Sequence, residues 1–141
     1  MPQELLVAIT NSIEAVAEAN EGIEAWLATN HADQRLSYLV SLTVEEIAVN
    51  CIHYGYRDCE QHEILVHLSL AEEGFTMVMS DDGEAYNTLE APPPDLGVKI
   101  EDRRIGGLGI HLLRTMWDQI SYSRVDGRNR LVFEKRLANE R

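Results

Sequence analysis

A long amphipathic segment in the first half of the chain is the strongest constraint on the fold. From Asp33 or Gln34 to Gly55, apolar residues recur at helical spacing, which predicts one helix over this whole range. The apolar stripe of this helix consists of Leu36, Val40, Val44, Ile47 and Cys51. Glu46 and Asn50 are four residues apart, so they lie on one helix face at the border of the stripe. A carboxylate and a carboxamide in that position are candidates to line a pocket, although polar residues also border apolar stripes without any function.

The segments on either side of this helix predict a mixed fold with antiparallel strands. Alternating or short apolar runs predict strands over residues 4–9, 63–70, 75–80, 120–125 and 130–137. Residues 72–74 and 126–129 have the composition of hairpin turns. A capping-box sequence headed by Asn11 predicts the start of a first helix, and residues 111–117 form the last one. The first helix carries an apolar pattern made up of Ile13, Val16, Ala17, Ile23 and Trp26.

Length and charge restrict the kind of protein. The 141 residues suit one domain, so we expect a single domain over residues 1–141. The net charge of −12 argues against nucleic-acid binding through a generally basic surface. Ten of the twelve Lys and Arg residues lie at or after Lys99, so an anionic ligand would find its positive counterpart there. No apolar run reaches the ~20 residues of a membrane span, and the N-terminus lacks signal-peptide features; a cytoplasmic location is expected.

Two cysteines and two histidines raise the alternative of a metal cluster. Cys51, His53, Cys59 and His62 would form a set written C-x-H-x5-C-x2-H. Structural zinc sites usually show tighter pairs such as C-x2-C, so this spacing is a poor match. Cys51 also belongs to the apolar stripe, where a reduced cysteine is an ordinary core residue. The pattern therefore favours a core cysteine over a metal ligand.

The region before the last helix has features of a ligand-binding loop. Three successive prolines lie within residues 88–104, which predict a surface loop or lid. Residues 106–110 hold three glycines and lead into the last helix, whose first-turn N–H groups would favour an anion such as phosphate. Arg103 and Arg104 precede this cluster and strengthen the signal. A flexible connection to the helix is the more common explanation of such glycines.

Three motifs occur in fixed order along the chain: Glu46-x3-Asn50-x3-Tyr54-Gly55-Tyr56, Asp81-x-Gly83-x2-Tyr86-Asn87 and Gly106-Gly107-Leu108-Gly109-Ile110. Together they resemble the ATP-binding domain of the GHKL superfamily, to which gyrase and the histidine kinases belong. Within it, the chain most closely resembles the anti-sigma factor branch of serine/threonine kinases. The resemblance covers nearly the whole chain and implies an α+β fold, a two-layer α/β sandwich with a mainly antiparallel sheet (the Bergerat, or histidine kinase-like ATPase, fold).

The resemblance implies a role for several of these residues. Glu46 would be the general base that takes a proton from the attacking hydroxyl or water. Asn50 would be the ligand of a Mg²⁺ ion that bridges the ATP phosphates. Asp81 would accept a hydrogen bond from the adenine amino group, and Gly83 would leave room for the base. Tyr86 belongs to the same ATP-binding motif.

The remaining ATP contacts are implied with less detail. The backbone of Gly106, Gly107, Leu108, Gly109 and Ile110 would surround the phosphates. Arg103 or Arg104 in the lid would reach the γ-phosphate, and this last assignment comes from charge placement alone.

The sequence departs from the family pattern at three positions. Tyr54 stands where the family commonly has histidine and is expected to pack near the nucleotide. Asn129 stands where the family often has Thr or Ser near the adenine end, and it is included among the predicted ATP-binding residues. Asn87 replaces a frequent Asp.

The function implied by the resemblance is that of an anti-sigma factor. Such a protein is a serine/threonine kinase that binds a sigma factor and uses ATP and Mg²⁺ to phosphorylate a STAS-type anti-anti-sigma protein. Homodimerisation is usual in that family. A different class remains open, namely an ATP-binding regulatory module without phosphotransfer, against which the intact Glu46 argues. The ATP domain of a split sensor kinase is disfavoured, because the chain has no dimerisation helix with a phosphoacceptor histidine.

Overall fold

The described part of the computed structural model comprises residues 2–56, 60–90 and 107–137. The strands are β1 (Gln3–Thr10), β2 (Glu63–Leu70), β3 (Gly74–Asp81), β4 (Gln119–Val125) and β5 (Arg128–Arg136). The helices are α1 (Ile13–Thr29), α2 (Gln34–Asn50) and α3 (Gly107–Met116), with a π-helical turn at Cys51–Gly55 and a 3-10 turn at Thr88–Glu90.

The five strands form one antiparallel sheet in the order β1-β2-β3-β5-β4. Alternate residues of β2, β3 and β5 are buried, and the residues between them are partly exposed, as expected for a sheet with one covered face. The covered face and the apolar sides of the three helices share one core. The predicted α+β fold with an antiparallel sheet is therefore confirmed. Across the β3–β5 pair, Asp81 lies directly opposite Asn129.

Helix α2 buries the stripe that the sequence predicts. Leu36, Val40, Val44 and Ile47 are buried in the core, whereas Cys51 beyond its end is half-buried. A buried hydrogen bond fixes α2 to the end of α3, because Trp117 Nε1 donates to Thr43 Oγ1 at 2.9 Å. The Trp117 ring also packs on Phe133, with ring centroids 5.3 Å apart. These contacts hold α3 at a fixed position beside α2.

The start of α1 differs from the prediction. Ser12, not Asn11, caps the helix, since its hydroxyl oxygen accepts from the backbone N–H of Ala15. The Asn11 carboxamide instead bonds Glu60 O and the backbone N–H of His62, some fifty residues away. Ile13 was expected on the apolar stripe but is 49% exposed, because it lies on the outer side of the first turn.

Three other element boundaries also move. The α-helix predicted to reach Gly55 ends at Asn50 and continues as the π-helical turn. Residues 107–110 of the glycine cluster form the first turn of α3, which begins at Gly107 and not at residue 111. Strand β5 begins at Arg128, because Asp126 and Gly127 both adopt positive φ and make a two-residue hairpin turn. Most of the predicted lid at 88–104 lies outside the described residues.

Candidate functional site

A cavity of about 270 Å³ opens where the end of α2, the end of β3 and the start of β5 meet. It brings together residues of the first and second motifs, whereas the described residues of the glycine cluster do not line it. The lining residues are Ile47, Asn50, Cys51, Tyr54, Gly55, Asp81, Glu84, Ala85, Tyr86, Thr88, Asn129 and Leu131. Five predicted ATP-binding residues are therefore neighbours in space, namely Asn50, Tyr54, Asp81, Tyr86 and Asn129.

Asp81 is the buried carboxylate of this cavity, with 8% of its surface exposed. Its Oδ1 accepts from the backbone N–H of Gly83 at 2.9 Å and from Asn129 Nδ2 at 3.1 Å. Its Oδ2 accepts from the Cys51 thiol, with a sulfur–oxygen distance of 3.3 Å. A carboxylate oxygen has two acceptor positions, so Oδ1 is fully used and Oδ2 retains one. The cavity therefore offers one acceptor position on Oδ2 to a ligand donor.

Cys51 is the donor partner of Asp81 that sequence reasoning missed. Burial, with a smaller contribution from the charge of Asp81, raises the pKa of the Cys51 thiol well above its usual range. The thiol therefore stays protonated and can donate. Cys51 is the last residue of the apolar stripe, and a residue at that position faces both the core and the cavity at the end of the helix. This signal could be recognised only once the cavity was known.

Gly83 is required by packing within the protein. A Cβ atom at this position would lie 2.6 Å from Gly55 O and 2.9 Å from Asp81 Oδ1. The same carbonyl of Gly55 accepts from the backbone N–H of Glu84 at 2.9 Å. The missing side chain thus lets segment 83–84 contact the π-helical turn. The room that Gly83 is expected to leave for the nucleotide base stays a prediction.

Glu46 and Asn50 lie one helical turn apart on α2, and each has a buried oxygen without a partner. Among the described residues, neither Glu46 Oε1 nor Asn50 Oδ1 has a hydrogen-bond partner. Such buried polar atoms without a partner are rare in proteins, and a catalytic role or the binding of an ion or water accounts for many of them. A carboxamide oxygen is a suitable ligand for a hard cation such as Mg²⁺, so the chemistry of Asn50 Oδ1 fits the metal ligand expected there.

The first turn of α3 lies directly against Glu46. A Cβ atom built on Gly109 would overlap the Glu46 carboxyl group, so only glycine allows this approach. Burial, with a smaller contribution from the neighbouring charge of Glu45, raises the pKa of the Glu46 carboxyl above its ordinary value. A carboxylate with a raised pKa is a better proton acceptor at neutral pH. The structure thus joins the first and third motifs at Glu46 and Gly109.

The remaining predicted residues fall into three groups. Tyr54 and Tyr86 line the cavity with partly exposed rings. The Ile110 side chain is buried in the core, so only its backbone could face a ligand. Arg103, Arg104 and Gly106 lie outside the described residues, and the alternative metal cluster includes Cys59, which does as well. Two of its other members have partners of their own: the Cys51 thiol bonds Asp81, and the His62 ring bonds Asp82 and stacks on the Tyr56 ring with centroids 4.2 Å apart.

Comparison with protein families identifies the family of this chain. A model described as the histidine kinase-like ATPase domain matches residues 9–135. The chain belongs to the histidine kinase-like ATPase domain family. The match runs from the last two residues of β1 almost to the end of β5, so it includes helices α1, α2 and α3 and strands β2, β3 and β4 in full. The superfamily predicted from the three motifs is thereby confirmed.

Curated relatives of this histidine kinase-like ATPase domain are named as protein kinases. The serine/threonine-protein kinase BtrW of Bordetella bronchiseptica is 29% identical over 108 residues, which is 75% of each chain. The serine-protein kinase RsbW of Listeria monocytogenes is 29% identical over 85 residues, or 57% of this chain and 54% of the relative. RsbW of Bacillus subtilis is 21% identical over 86 residues. The aligned region thus spans three quarters of BtrW and about half of RsbW.

None of the helices in the described ranges is both long and apolar enough to cross a bilayer.

Proposed function

We propose that this protein is an ATP- and Mg²⁺-dependent protein serine/threonine kinase of the anti-sigma factor type. The observation that carries the proposal is the pair of buried oxygens on Glu46 and Asn50, which have no partner among the described residues and lie one turn apart on α2, with Asn50 and Asp81 in the lining of one cavity. Glu46 as the proton acceptor, Asn50 as the metal ligand and Asp81 as the hydrogen-bond acceptor for the nucleotide base then lie along α2 and the neighbouring end of β3.

Base recognition is assigned to Asp81. The remaining acceptor position on its Oδ2 suits the exocyclic amino group of adenine, which donates a hydrogen bond. Guanine presents a carbonyl oxygen at the equivalent position, and two acceptors would then face each other in a buried site. An unpaired buried acceptor costs about 1–3 kcal/mol, which corresponds to roughly 5- to 150-fold in affinity. Tyr54 and Tyr86 would pack beside the base and the sugar.

Phosphate binding is assigned to Asn50 and to the start of α3. Asn50 would offer its Oδ1 to Mg²⁺, which when bound neutralises charge on the phosphate oxygens. The backbone N–H groups of Gly107 to Ile110 are those of a helix N-terminus, which favours anions. Arg104, with Gly106 and the rest of the predicted lid, would complete the phosphate contacts.

Proton transfer is assigned to Glu46. Its carboxylate lies against Gly109, in the turn that would hold the phosphates, so a hydroxyl approaching the γ-phosphate would meet it there. A positioned base typically contributes about 10²–10⁴-fold to the rate. The relatives named as serine kinases support a serine hydroxyl as the acceptor.

The partners follow from the same family relationship. We propose a STAS-type anti-anti-sigma protein as the phosphorylated substrate and a sigma factor as the sequestered partner, in a cytoplasmic partner-switching system in which this protein forms a homodimer. The strongly acidic first two thirds of the chain are electrostatically compatible with a basic partner.

A thermal-shift experiment tests the nucleotide site. The melting temperature should rise with ATP and ADP more than with GTP, and the ATP effect should increase with Mg²⁺, because a ligand that binds only the folded state stabilises it. Equal responses to ATP and GTP would contradict the role of Asp81. Binding of ATP without transfer of a radiolabelled phosphate to any STAS-type protein would favour the ATP-binding regulatory module instead.

A further inference from the structure

The Asn129 carboxamide connects four parts of the site. It is buried, with 7% of its surface exposed, at the start of β5. Its Nδ2 donates to Asp81 Oδ1 at 3.1 Å and to Glu84 O at 2.8 Å. Its Oδ1 accepts from the backbone N–H of Tyr86 at 3.2 Å and from the Tyr122 hydroxyl at 2.6 Å. One side chain therefore bonds β3, the segment 84–86 and β4.

These four bonds use the whole capacity of the side chain. A carboxamide has two N–H donors and two acceptor positions on its oxygen, and all four are occupied within the protein. No hydrogen bond remains for a nucleotide. We propose that Asn129 is a positioning residue for base recognition, which acts on the ligand only through Asp81 and the backbone of segment 84–86. This inference rests on the proposed function and replaces the direct ATP contact expected from the sequence.

The surrounding donors determine the orientation of the amide. Tyr122 and the Tyr86 backbone both donate, so the carboxamide oxygen must face them. The NH₂ group is then directed at two acceptors, the Asp81 carboxylate and the Glu84 carbonyl. A flipped amide would place donor against donor and acceptor against acceptor. The Tyr122 hydroxyl, on the outer strand β4, thus helps to aim Asn129 at Asp81.

The consequence for the ligand lies on Asp81. Asn129 and the Gly83 N–H occupy both positions of Oδ1. They hold the carboxylate in one rotation, so that Oδ2 alone is presented to the cavity. Neither Ser nor Thr at position 129 can reproduce this arrangement, because a hydroxyl has one donor where the carboxamide has two. The Asn129 residue therefore serves base selection by limiting Asp81 to one acceptor direction.

The decisive variant is Asn129→Asp, which keeps the shape but replaces two donors by acceptors beside Asp81. At pH 8 we expect its dissociation constant for ATP to rise about tenfold or more and its preference for ATP over GTP to fall. Binding of Mg²⁺ with inorganic tripolyphosphate, which lacks a base, should stay within about twofold of wild type. As the pH falls, protonation of the introduced carboxyl group restores a donor, so the variant should recover ATP affinity relative to wild type.

Two controls and one cycle keep the test interpretable. Arg130→Gln, at an exposed position of the same strand, should leave the preference unchanged, and Tyr122→Phe should lower it by less than Asn129→Asp. If Asn129→Asp does not fold, Asn129→Ser takes its place with the same expected direction. A double-mutant cycle with Asp81→Asn should be strongly non-additive, since both residues act on one contact.

The outcomes separate this inference from the proposed function. Failure of the wild-type protein to bind ATP overturns the proposed function. Wild-type binding with an unchanged ATP-to-GTP ratio in Asn129→Asp, or additive effects in the cycle, overturns the positioning role alone. Equal losses of ATP and tripolyphosphate binding would show a general structural defect and would also contradict it.

Discussion

At the scale of single residues, the environment of Glu46 suits proton transfer and lowers the stability of the folded state once the carboxyl group is ionised. Its half-buried carboxyl group has a raised pKa, first because of burial and second because of the charge of Glu45, and its Oε1 has no described partner. The folded state therefore binds the proton more tightly than the unfolded chain does. Stability is then highest below the unfolded pKa and decreases as the pH rises through the folded pKa.

The first prediction concerns Glu46→Gln. Phosphotransfer should fall by about 10²–10⁴-fold, because the amide cannot accept the proton. The affinity for ATP should remain within a few-fold, and the melting temperature at pH 7 should rise, because the variant removes a buried charge. Glu45→Gln is the matched control at the neighbouring exposed position, and it should remain active. Because the charge of Glu45 raises the pKa of Glu46, its removal should move the acidic limb of the pH–rate profile to lower pH. Unchanged turnover in Glu46→Gln would remove this residue as the base.

The second prediction concerns Asn50→Ala. Because Asn50 Oδ1 is the proposed metal ligand, the variant should lose the part of its ATP affinity that depends on Mg²⁺ and keep the part that does not. Titrations of both proteins with ATP, in Mg²⁺ and in a chelator, measure the two parts. Equal ATP affinity of the wild-type protein with and without Mg²⁺ would argue against the metal role of Asn50.

Sequence reasoning reached these residues unequally. Glu46, Asn50 and Asp81 stand in spaced motifs and could be selected from the chain alone. The role of Asn129 could not, because its four partners come from β3, from β4 and from segment 84–86. Only the strand register, which places Asn129 opposite Asp81, brings them together.

At the scale of secondary-structure elements, the contact between α2 and α3 is the feature that joins the motifs. Gly109 lies against the Glu46 carboxyl group, and the Trp117–Thr43 hydrogen bond holds the other end of α3 on α2. The apolar periodicities of α2 and β2 were predicted correctly, since they arise directly from burial on one face. The cap of α1 and the π-helical turn were not, because Asn11 and Gly55 bond residues that are distant in sequence.

The third prediction compares two glycine substitutions in helices. Gly109→Ala should displace the Glu46 carboxyl group and reduce phosphotransfer by about tenfold or more, although alanine is the better helix former. Gly22→Ala in α1 is the matched control, because a Cβ there meets nothing within 4 Å. It should raise the free energy of unfolding by roughly 0.5–1 kcal/mol and leave activity unchanged. Phosphotransfer assays measure the activity of both variants, and thermal melts measure their stability. Equal activity of the two variants would contradict the close α2–α3 contact.

At the scale of the whole molecule, the uneven charge is the dominant property. The net charge of −12 combines a strongly acidic region before Lys99 with a basic last third. Self-repulsion of this kind destabilises a compact state, and salt screens it over roughly 10 Å at 0.1 M. The sequence revealed this imbalance directly. The exposed acids of α1, which include Glu14, Glu18 and Glu21, then show where part of it lies in the fold.

The fourth prediction follows from this charge. The melting temperature should rise when NaCl is increased from about 10 mM to about 200 mM. Neutralising Glu18 and Glu21 to glutamine should raise it more at low salt than at high salt. A variant that removes two exposed, uncharged polar side chains, Thr29 and Gln34, is the control and should show the wild-type salt dependence. A melting temperature independent of salt would refute the repulsion.

Helix α2 and its π-helical turn carry contacts to both ends of the proposed nucleotide. Glu46 and Asn50 lie at the phosphate end, while Cys51 and Gly55 bond Asp81 and segment 83–84 at the base end. At the ~1.5 Å per residue of an α-helix, the four steps from Glu46 to Asn50 span roughly 6 Å, and the five residues of the π-helical turn continue the segment to Gly55. The spacing between base selection and phosphate chemistry is thus set by the number of residues in one continuous segment. A single residue inserted between Asn50 and Gly55 would change the distance and orientation between the base end and the phosphate end. Every side chain that meets the ligand would stay the same.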